Sequence, residues 1–254
     1  MIRTGNKRTE VPVGDNEQLR AEVHDDGIGV LTLARPGKRN ALSIKLRSDL
    51  TDTLARWADD DHVRVAVLTG EGPAFSAGFD LGEFGQPELA RAIRHNSTAY
   101  HRAVWSFPKP LIAAVNGPAM GGGFDLALLC DMRIASGAAS FGHPEIKFGA
   151  PPLFTPLRWI VGDGAARDLC LTGQPIDADE AMRIGLVSRV VARDALLDEA
   201  LGAARQIAEA PQPALQTTKR YLSGNQGLGF EESFRIEHDD VFDVLLTGSA
   251  AAFG

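Results

Sequence analysis

Three consecutive glycines, Gly121-Gly122-Gly123, are the first residues whose type and spacing suggest chemistry. They follow LIAAVNGPAM and precede FDLALLCD, so they are expected to open a helix just after a strand. Glycines in a row cost backbone entropy and usually mark the close approach of a ligand or another backbone. Because the first amide hydrogens of a helix are unpaired and the dipole is positive there, the Gly122 N–H can receive an oxyanion. A flexible glycine loop without a ligand is the alternative interpretation.

A second loop, AFSAGFDLGEF at residues 74–84, follows the apolar segment RVAVLTG and is expected at the end of another strand, where ligand clefts commonly form. A backbone N–H from this loop would complete a pocket for the charge that develops on a carbonyl oxygen. Ser76 is similar to the serine of the G-x-S-x-G nucleophile elbow, but Ala74 stands where that motif has its first glycine. A serine nucleophile is therefore an alternative.

Two acids are candidates for proton transfer. Asp125 lies one turn into the glycine-led helix, and Glu145 lies in GHPEIKFG after the next pair of strands. Near one oxyanion pocket, two acids would supply the general acid and base that proton transfer at carbon requires. The alternatives are a first-turn acid that complements the helix dipole and a solvated loop glutamate. His143, beside Pro144, is interpreted as a loop residue rather than a base.

The elements that must position these residues alternate between strand and helix through about residue 150. GIGVLTLARP, RVAVLTG and LIAAVNG predict strands, as do the shorter MRIA and ASFG. Ser43 is a plausible N-cap for a helix that runs to about Asp59, and PELARAIRHNSTAYHRAVWSF predicts another helix. The later segments that predict helices are Leu153 to Val161, Ala165 to Leu171, Ala178 to Ile184, Ala195 to Ala210, Ala214 to Leu222 and Phe230 to Leu246. This order predicts an α/β core followed by a helical C-terminal region.

Composition argues against several classes of function. The chain has 254 residues, a net charge of -7, 44% hydrophobic and 23% charged residues, which is typical of a soluble globular protein without a broad nucleic-acid surface. The sequence contains neither an apolar run long enough for a membrane span nor a signal-peptide pattern, which predicts a cytoplasmic protein without a membrane partner. Cys130 and Cys170 lie in apolar segments and are expected to be buried free thiols. No histidine spacing suggests a metal site, and the glycine runs lack a dinucleotide or P-loop fingerprint.

Four segments, taken in order, resemble the enoyl-CoA hydratase/isomerase family, the crotonases: AFSAGFDL, NGPAMGGGFDLALLCDMRIAS, FGHPEIKFG and LTGQPIDADEAMRIGLVSRVV. The resemblance extends from about Val23 to Leu246. It implies an α/β fold with a crotonase-like spiral core of repeated ββα units over residues 21–195. A polar N-terminal extension over residues 1–20 would precede this core, and a helical C-terminal trimerisation region over residues 196–254 would follow it. The implied partners are an acyl-CoA substrate and other copies of the chain, in a homotrimer or a dimer of trimers.

The resemblance also implies roles for individual residues. The backbone N–H groups of Phe79 and Gly122 would form the oxyanion hole for the thioester carbonyl, and Asp125 and Glu145 would be the catalytic acids. KRNAL looks like the coenzyme A loop of the family, whose basic residues suit phosphates. The residues expected to contact the substrate or its coenzyme A are Lys38, Arg39, Ala41, Ala77, Gly78, Asp80, Leu81, Gly121 and Pro144. No metal and no cofactor are expected, because coenzyme A is part of the substrate.

Two departures from the family pattern bear on the reaction. Asp125 stands where a typical hydratase has glutamate, and the missing methylene shortens its reach by about 1.5 Å. Aspartate at this position looks like the dienoyl-CoA isomerases, but their further acid would fall at Leu153. The second departure is GAPPLFTPLRW after Glu145, which replaces the usual glycine-rich turn and is expected to reshape the acyl pocket.

The leading prediction is an enoyl-CoA hydratase that adds water through an enolate held in the oxyanion hole. An enoyl- or dienoyl-CoA double-bond isomerase, in which Glu145 alone moves the proton, is the nearest alternative. Two further alternatives come from other classes: an acyl-CoA thioester hydrolase with Ser76 as nucleophile, and a non-catalytic acyl-CoA-binding protein.

Overall fold

The computed structural model of the protein describes residues 9–10 and 18–247. Most of the polar extension predicted over residues 1–20 lies outside the described residues, as do residues 248–254 of the predicted C-terminal region. Leu19 and Arg20, at the end of that extension, already belong to a strand.

The strands in the described part of the chain are β1 (Thr9–Glu10), β2 (Leu19–Val23), β3 (Ile28–Leu33), β4 (Val65–Gly70), β5 (Leu111–Val115), β6 (Ala119–Met120), β7 (Met132–Ser136), β8 (Ser140–Gly142), β9 (Ile176–Asp177) and β10 (Arg189–Val191). The α-helices there are α1 (Ile44–Ala58), α2 (Leu81–Phe84), α3 (Ala90–Trp105), α4 (Gly122–Leu129), α5 (Phe154–Thr172), α6 (Ala178–Arg183), α7 (Leu196–Ala208), α8 (Gln212–Gly224) and α9 (Phe230–Thr247).

The main sheet has the strand order β1-β2-β3-β4-β5-β7-β10. Within it, the neighbouring strands β3, β4, β5, β7 and β10 pair in parallel. Alternate side chains of β4 point to opposite faces: Val65 and Val67 pack with α7, whereas Ala66 and Leu68 join the larger core around α1, α3 and α4. Because the parallel part of the sheet is covered on both faces, its central strands β4 and β5 are predominantly apolar. Because β4 and β5 are neighbours, the loops that follow them leave from the same edge of the sheet.

A smaller sheet, in the order β6-β8-β9, brings the second pair of predicted motifs together. β6 pairs with β8 in parallel, with Met120 opposite Gly142. The pairing continues as a hydrogen bond of 2.9 Å from the Gly121 N–H to the Gly142 carbonyl. The start of α4 and the segment after β8 are therefore fixed side by side.

Local signals place several helix ends correctly. Ser43 caps α1, because its hydroxyl accepts a hydrogen bond of 3.1 Å from the Leu46 N–H. The two helices predicted between Leu153 and Leu171 are joined as α5, with a kink at Gly162, where φ is +77°.

In the C-terminal region, Lys219 of α8 forms a buried salt bridge of 2.6 Å with Asp131 of the core. Within the described residues, no helix combines the length and apolar character needed to cross a membrane.

Candidate functional site: an oxyanion pocket beside two acids

The glycine run is packed tightly against the other loop and is not a free, flexible segment. Gly121 precedes α4 with φ of +51°, a conformation that favours glycine. A Cβ built on Gly123 would lie 2.4 Å from the Ser76 carbonyl oxygen, and one on Gly122 would lie 2.5 Å from Cδ2 of Phe79. The glycines are therefore required because segment 76–79 crosses the start of the helix.

Two unpaired backbone N–H groups meet at this crossing. A Cβ built on Gly78, where φ is +92°, would lie 3.2 Å from the Gly122 nitrogen, and one built on Gly122 would lie 3.6 Å from the Phe79 nitrogen. Neither the Phe79 N–H nor the Gly122 N–H donates to an acceptor among the described residues. Two donors so close together can bind one oxygen atom, as an oxyanion hole requires.

The backbone around Phe79 is held by a short pairing with the segment before α1. The Leu42 N–H donates to the Gly78 carbonyl at 2.8 Å, and the Asp80 N–H donates to the Leu42 carbonyl at 3.3 Å. The fully buried Arg47 donates to the same Leu42 carbonyl and places its guanidinium carbon 4.7 Å from the centroid of the Phe79 ring. Arg47 therefore supports both the backbone and the ring of Phe79. Nothing in the sequence pattern singled it out.

The two predicted acids both lie at the start of α4. A Cβ on Gly121 would be 3.1 Å from Oε2 of Glu145, so this carboxylate faces the start of α4. Asp125 is buried within α4, and burial, together with the charge of Glu145, raises its pKa well above 3.8. Buried atoms Oδ1 of Asp125 and Oε2 of Glu145 have no hydrogen-bond partner in the described structure. Glu145 is therefore not a solvated loop glutamate.

His143 connects the two acids, which the sequence interpretation missed. It precedes the 3-10 turn Pro144–Phe148, so its backbone does lie in a loop, but its side chain is 0% exposed. Nδ1 lies 2.9 Å from Oε1 of Glu145, and Nε2 lies 3.9 Å from Oδ1 of Asp125. In the sequence, the only local hint of this contact is that Glu145 follows His143 two positions later. Such a spacing does not indicate that the histidine is buried.

The residues predicted to bind coenzyme A form a second cluster, next to the Phe79 side of the pocket. Lys38 and Arg39 are exposed on a 3-10 turn, and the Arg39 carbonyl accepts a hydrogen bond of 2.9 Å from the Ala77 N–H. Arg35 donates to the Ala41 carbonyl and forms a salt bridge of 2.9 Å with Asp80. These contacts bring the basic turn beside the loop that carries Gly78 and Phe79.

The remaining predicted positions lie at the ends of short elements. Leu81 begins α2 and is 80% exposed, and Pro144 opens the 3-10 turn that carries Glu145. Leu153, where the dienoyl-CoA isomerases would have a further acid, precedes α5 and is 40% exposed.

Ser76 is a structural residue and is not placed to act as a nucleophile. Its buried hydroxyl donates to the Asn40 carbonyl at 2.9 Å and accepts a hydrogen bond of 3.2 Å from the Gly78 N–H. Both interactions stabilise the loop that presents Phe79. This geometry contradicts the alternative in which Ser76 attacks a thioester.

The cysteines are free and buried, as predicted. Burial raises the pKa of the Cys130 thiol to about 12 and that of Cys170 to about 11. Both thiols are therefore protonated and poor nucleophiles at neutral pH.

Comparisons with known proteins agree with this architecture. The family model described as enoyl-CoA hydratase/isomerase matches residues 24–244. A putative enoyl-CoA hydratase from Thermus thermophilus is 39% identical over 223 residues, which cover 85% of this chain and 88% of that protein. A probable enoyl-CoA hydratase from Rhizobium meliloti is 42% identical over 83% of each chain. The crystal structure of an enoyl-CoA hydratase from Bacillus anthracis has a TM-score of 0.86 and 31% identity, over 91% of this chain and 92% of that chain. The predicted crotonase fold is confirmed.

Proposed function

The chain belongs to the enoyl-CoA hydratase/isomerase family, and from this premise we propose that it adds water to the double bond of an enoyl-CoA thioester. The observation that carries the proposal is the meeting of two unpaired backbone N–H groups with two retained acids at the start of α4. An oxyanion hole alone would support several reactions of an enolate. Hydration additionally needs groups that activate water and deliver a proton to carbon.

In the proposed reaction, the Phe79 and Gly122 N–H groups bind the thioester oxygen. They stabilise the negative charge that forms when water adds to Cβ, and each such donor typically contributes about a hundredfold or more to the rate. Glu145 and Asp125 share the activation of water and the protonation of Cα.

Binding of coenzyme A is assigned to the second cluster. Lys38 and Arg39 extend into solvent from a turn fixed to the oxyanion loop, which suits them to phosphate groups. Ala41, Ala77, Gly78, Asp80 and Leu81 lie along the connection between this turn and Phe79. No cofactor beyond the coenzyme A of the substrate is required.

Assembly into a trimer or a dimer of trimers is also part of the proposal. Phe230, Phe234 and Phe242 are exposed along one side of α9, at a spacing that places them on one helical face. Aromatic side chains exposed in this way are typical of surfaces that are buried on association. Analytical ultracentrifugation of the whole chain tests this point, and a monomer at micromolar concentration would contradict it.

The test of the reaction is a turnover screen with purified protein. Crotonyl-CoA and longer enoyl-CoA thioesters should lose the absorbance of the conjugated double bond, and the product should be a hydroxyacyl-CoA. Absence of turnover on every chain length, with the fold intact and acyl-CoA bound, would indicate a binding protein and refute the proposal.

Asp125→Asn separates hydration from isomerisation. A hydratase should lose at least about a hundredfold in kcat, since one of its two proton-transfer groups is gone. An isomerase that depends on Glu145 alone should keep most of its rate. Asp179→Asn, at an exposed position of α6, is the matched control.

A further inference from the structure

The ring of Phe79 lies directly beside the oxyanion pocket that the backbone N–H of the same residue helps to form. A Cβ built on Gly122 would lie 2.5 Å from Cδ2 and 2.6 Å from Cε2 of this ring, and 3.6 Å from the Phe79 nitrogen. One edge of the ring therefore touches the residue that supplies the second donor. An acyl group whose thioester oxygen is bound by both donors begins next to this edge.

The same ring lines a cavity of about 430 Å³ between α2, the segment 86–90 and α3. The apolar walls of the cavity also include Phe84, Pro87, Ala90 and Ile93. Its volume is within the range of pockets that hold small ligands. In the described structure, neither Gly122 nor either acid lines this cavity. Phe79 is thus common to the oxyanion pocket and the cavity, and its ring lies between the two.

Packing holds the ring in this position. The guanidinium carbon of Arg47 lies 4.7 Å from the centroid of the ring, which is a favourable cation–π distance. The rings of Phe84 and Tyr100 meet it edge to face, at 5.9 Å and 6.1 Å between centroids. Tyr100 is fully buried and cannot yield. The Phe79 ring therefore cannot rotate aside for a long acyl chain without breaking these contacts.

We infer that the side chain of Phe79 determines which acyl chains the protein accepts. Its ring closes the path from the oxyanion pocket to the cavity, so a longer chain gains no binding from the apolar walls beyond it. The substrate class is then an enoyl-CoA with a short acyl group. Alanine at this position would join the two spaces and keep the backbone N–H. The effect on turnover rests on the proposed hydratase function, whereas the effect on binding does not.

The kinetic test compares the wild type with Phe79→Ala and Phe79→Leu on crotonyl-CoA and decenoyl-CoA. The measured quantity is the ratio of kcat/KM for decenoyl-CoA to kcat/KM for crotonyl-CoA. A disturbance of the oxyanion donors affects both substrates and cancels from this ratio. Each methylene that enters an apolar pocket contributes up to about fourfold, so Phe79→Ala should raise the ratio at least about tenfold. Phe79→Leu keeps part of the barrier and should raise it less.

Phe84→Ala is the matched control, because it removes the same kind of ring from the same cavity. Phe84 is 57% exposed, and the atoms nearest to a Cβ on Gly122 belong to Phe79. This variant should therefore keep the wild-type ratio. An unchanged ratio in Phe79→Ala would overturn the inference, as would an equal rise in Phe84→Ala. Circular dichroism verifies folding, and if Phe79→Ala does not fold, an unchanged ratio in Phe79→Leu overturns the inference instead.

Binding of saturated thioesters tests the barrier without any turnover, since butyryl-CoA and decanoyl-CoA have no double bond to which water can add. Isothermal titration calorimetry gives the ratio of their Kd values for each variant. We expect Phe79→Ala to shift this ratio at least about tenfold in favour of decanoyl-CoA. Equal ratios in Phe79→Ala and the wild type would overturn the inference. If the wild type turns over no enoyl-CoA, the hydratase proposal fails, and the binding ratio alone decides the role of the Phe79 ring.

Discussion

The two halves of the site are built in different ways. The oxyanion half consists of backbone N–H groups, and its geometry follows from glycines that allow segment 76–79 to cross the start of α4. The acid–base half consists of side chains, three of whose buried polar atoms lack a partner among the described residues: Asp125 Oδ1, His143 Nε2 and Glu145 Oε2. Both halves have hydrogen-bonding groups free for a substrate, but those of the first half are backbone groups fixed by packing, whereas those of the second half are side-chain atoms.

This difference has an energetic consequence. Buried polar atoms without partners cost stability, and they persist mainly where function requires them. The oxyanion half should therefore respond to changes of volume, and the acid–base half to changes of charge that leave volume unaltered. The following substitutions test that distinction, from the largest expected effect to the smallest.

Glu145→Gln should have the largest effect, because it conserves shape and removes only the charge. We expect kcat for hydration to fall by about a thousandfold or more, with KM nearly unchanged, since general acid–base groups contribute on this scale. Steady-state kinetics on crotonyl-CoA provide the measurement. Glu88→Gln, at an exposed position before α3, should retain full activity. A drop of less than about tenfold for Glu145→Gln would mean that Glu145 takes no essential part in proton transfer.

Gly122→Ala should have the next largest effect, through volume alone. The added methyl group would lie 2.5 Å from the Phe79 ring, so either this ring or the start of α4 must move, which changes the relative position of the two oxyanion donors. We expect a loss of about a hundredfold to a thousandfold in kcat. Gly164→Ala is the matched control, because no atom lies within 4 Å of a Cβ at that position. Equal activity of the two variants would show that the crossing has no catalytic role.

Arg47→Met tests the support behind the oxyanion half. It keeps a long buried side chain but removes the guanidinium group that contacts the Phe79 ring and the Leu42 carbonyl. We expect about a tenfold loss in kcat/KM, since Phe79 is loosened but not removed. Arg56→Met, at an exposed position of the same helix, serves as the control. A variant whose kcat/KM matches the wild type would contradict the proposed support.

The smallest expected effect is on stability: apart from its loss of activity, Asp125→Asn should gain stability in a way that depends on pH. The pKa of Asp125 is raised in the folded protein, so the wild type loses stability as pH rises from 3.8 towards the folded-state pKa. Asparagine does not ionise, and the variant should melt higher than the wild type at pH 7. Each kcal/mol corresponds to about 2 to 4 °C in Tm for a protein of this size.

Melting curves from pH 4 to pH 8 measure this gain. It should shrink steadily as pH falls to about 4, where aspartate is protonated in the folded state and about half protonated in the unfolded state. A gain that is independent of pH, or a lower Tm at pH 7, would contradict the raised pKa.

Much of this protein is determined by short-range patterns in its sequence. Apolar strands, the Ser43 cap and the glycine run predict the α/β core, a helix start and a donor at Gly122, because backbone preferences and residue periodicity act over a few residues. The motif order adds the resemblance to the crotonases and hence a second donor at Phe79. Predicted helix ends in the C-terminal region differ from the observed ends by one or two residues.

Tertiary structure alone decided where the acids lie relative to each other and to the oxyanion loop. The parallel pairing of β6 with β8 places Gly121 beside the segment that carries Glu145, across a separation in sequence that no periodic pattern reports. The same pairing buries His143, which the sequence presents as an ordinary loop residue, and packing of α1 beneath the oxyanion loop buries Arg47 against Phe79. Such contacts depend on the arrangement of whole strands and helices in space. The sequence therefore predicts the groups that can react, and the fold determines which of them meet.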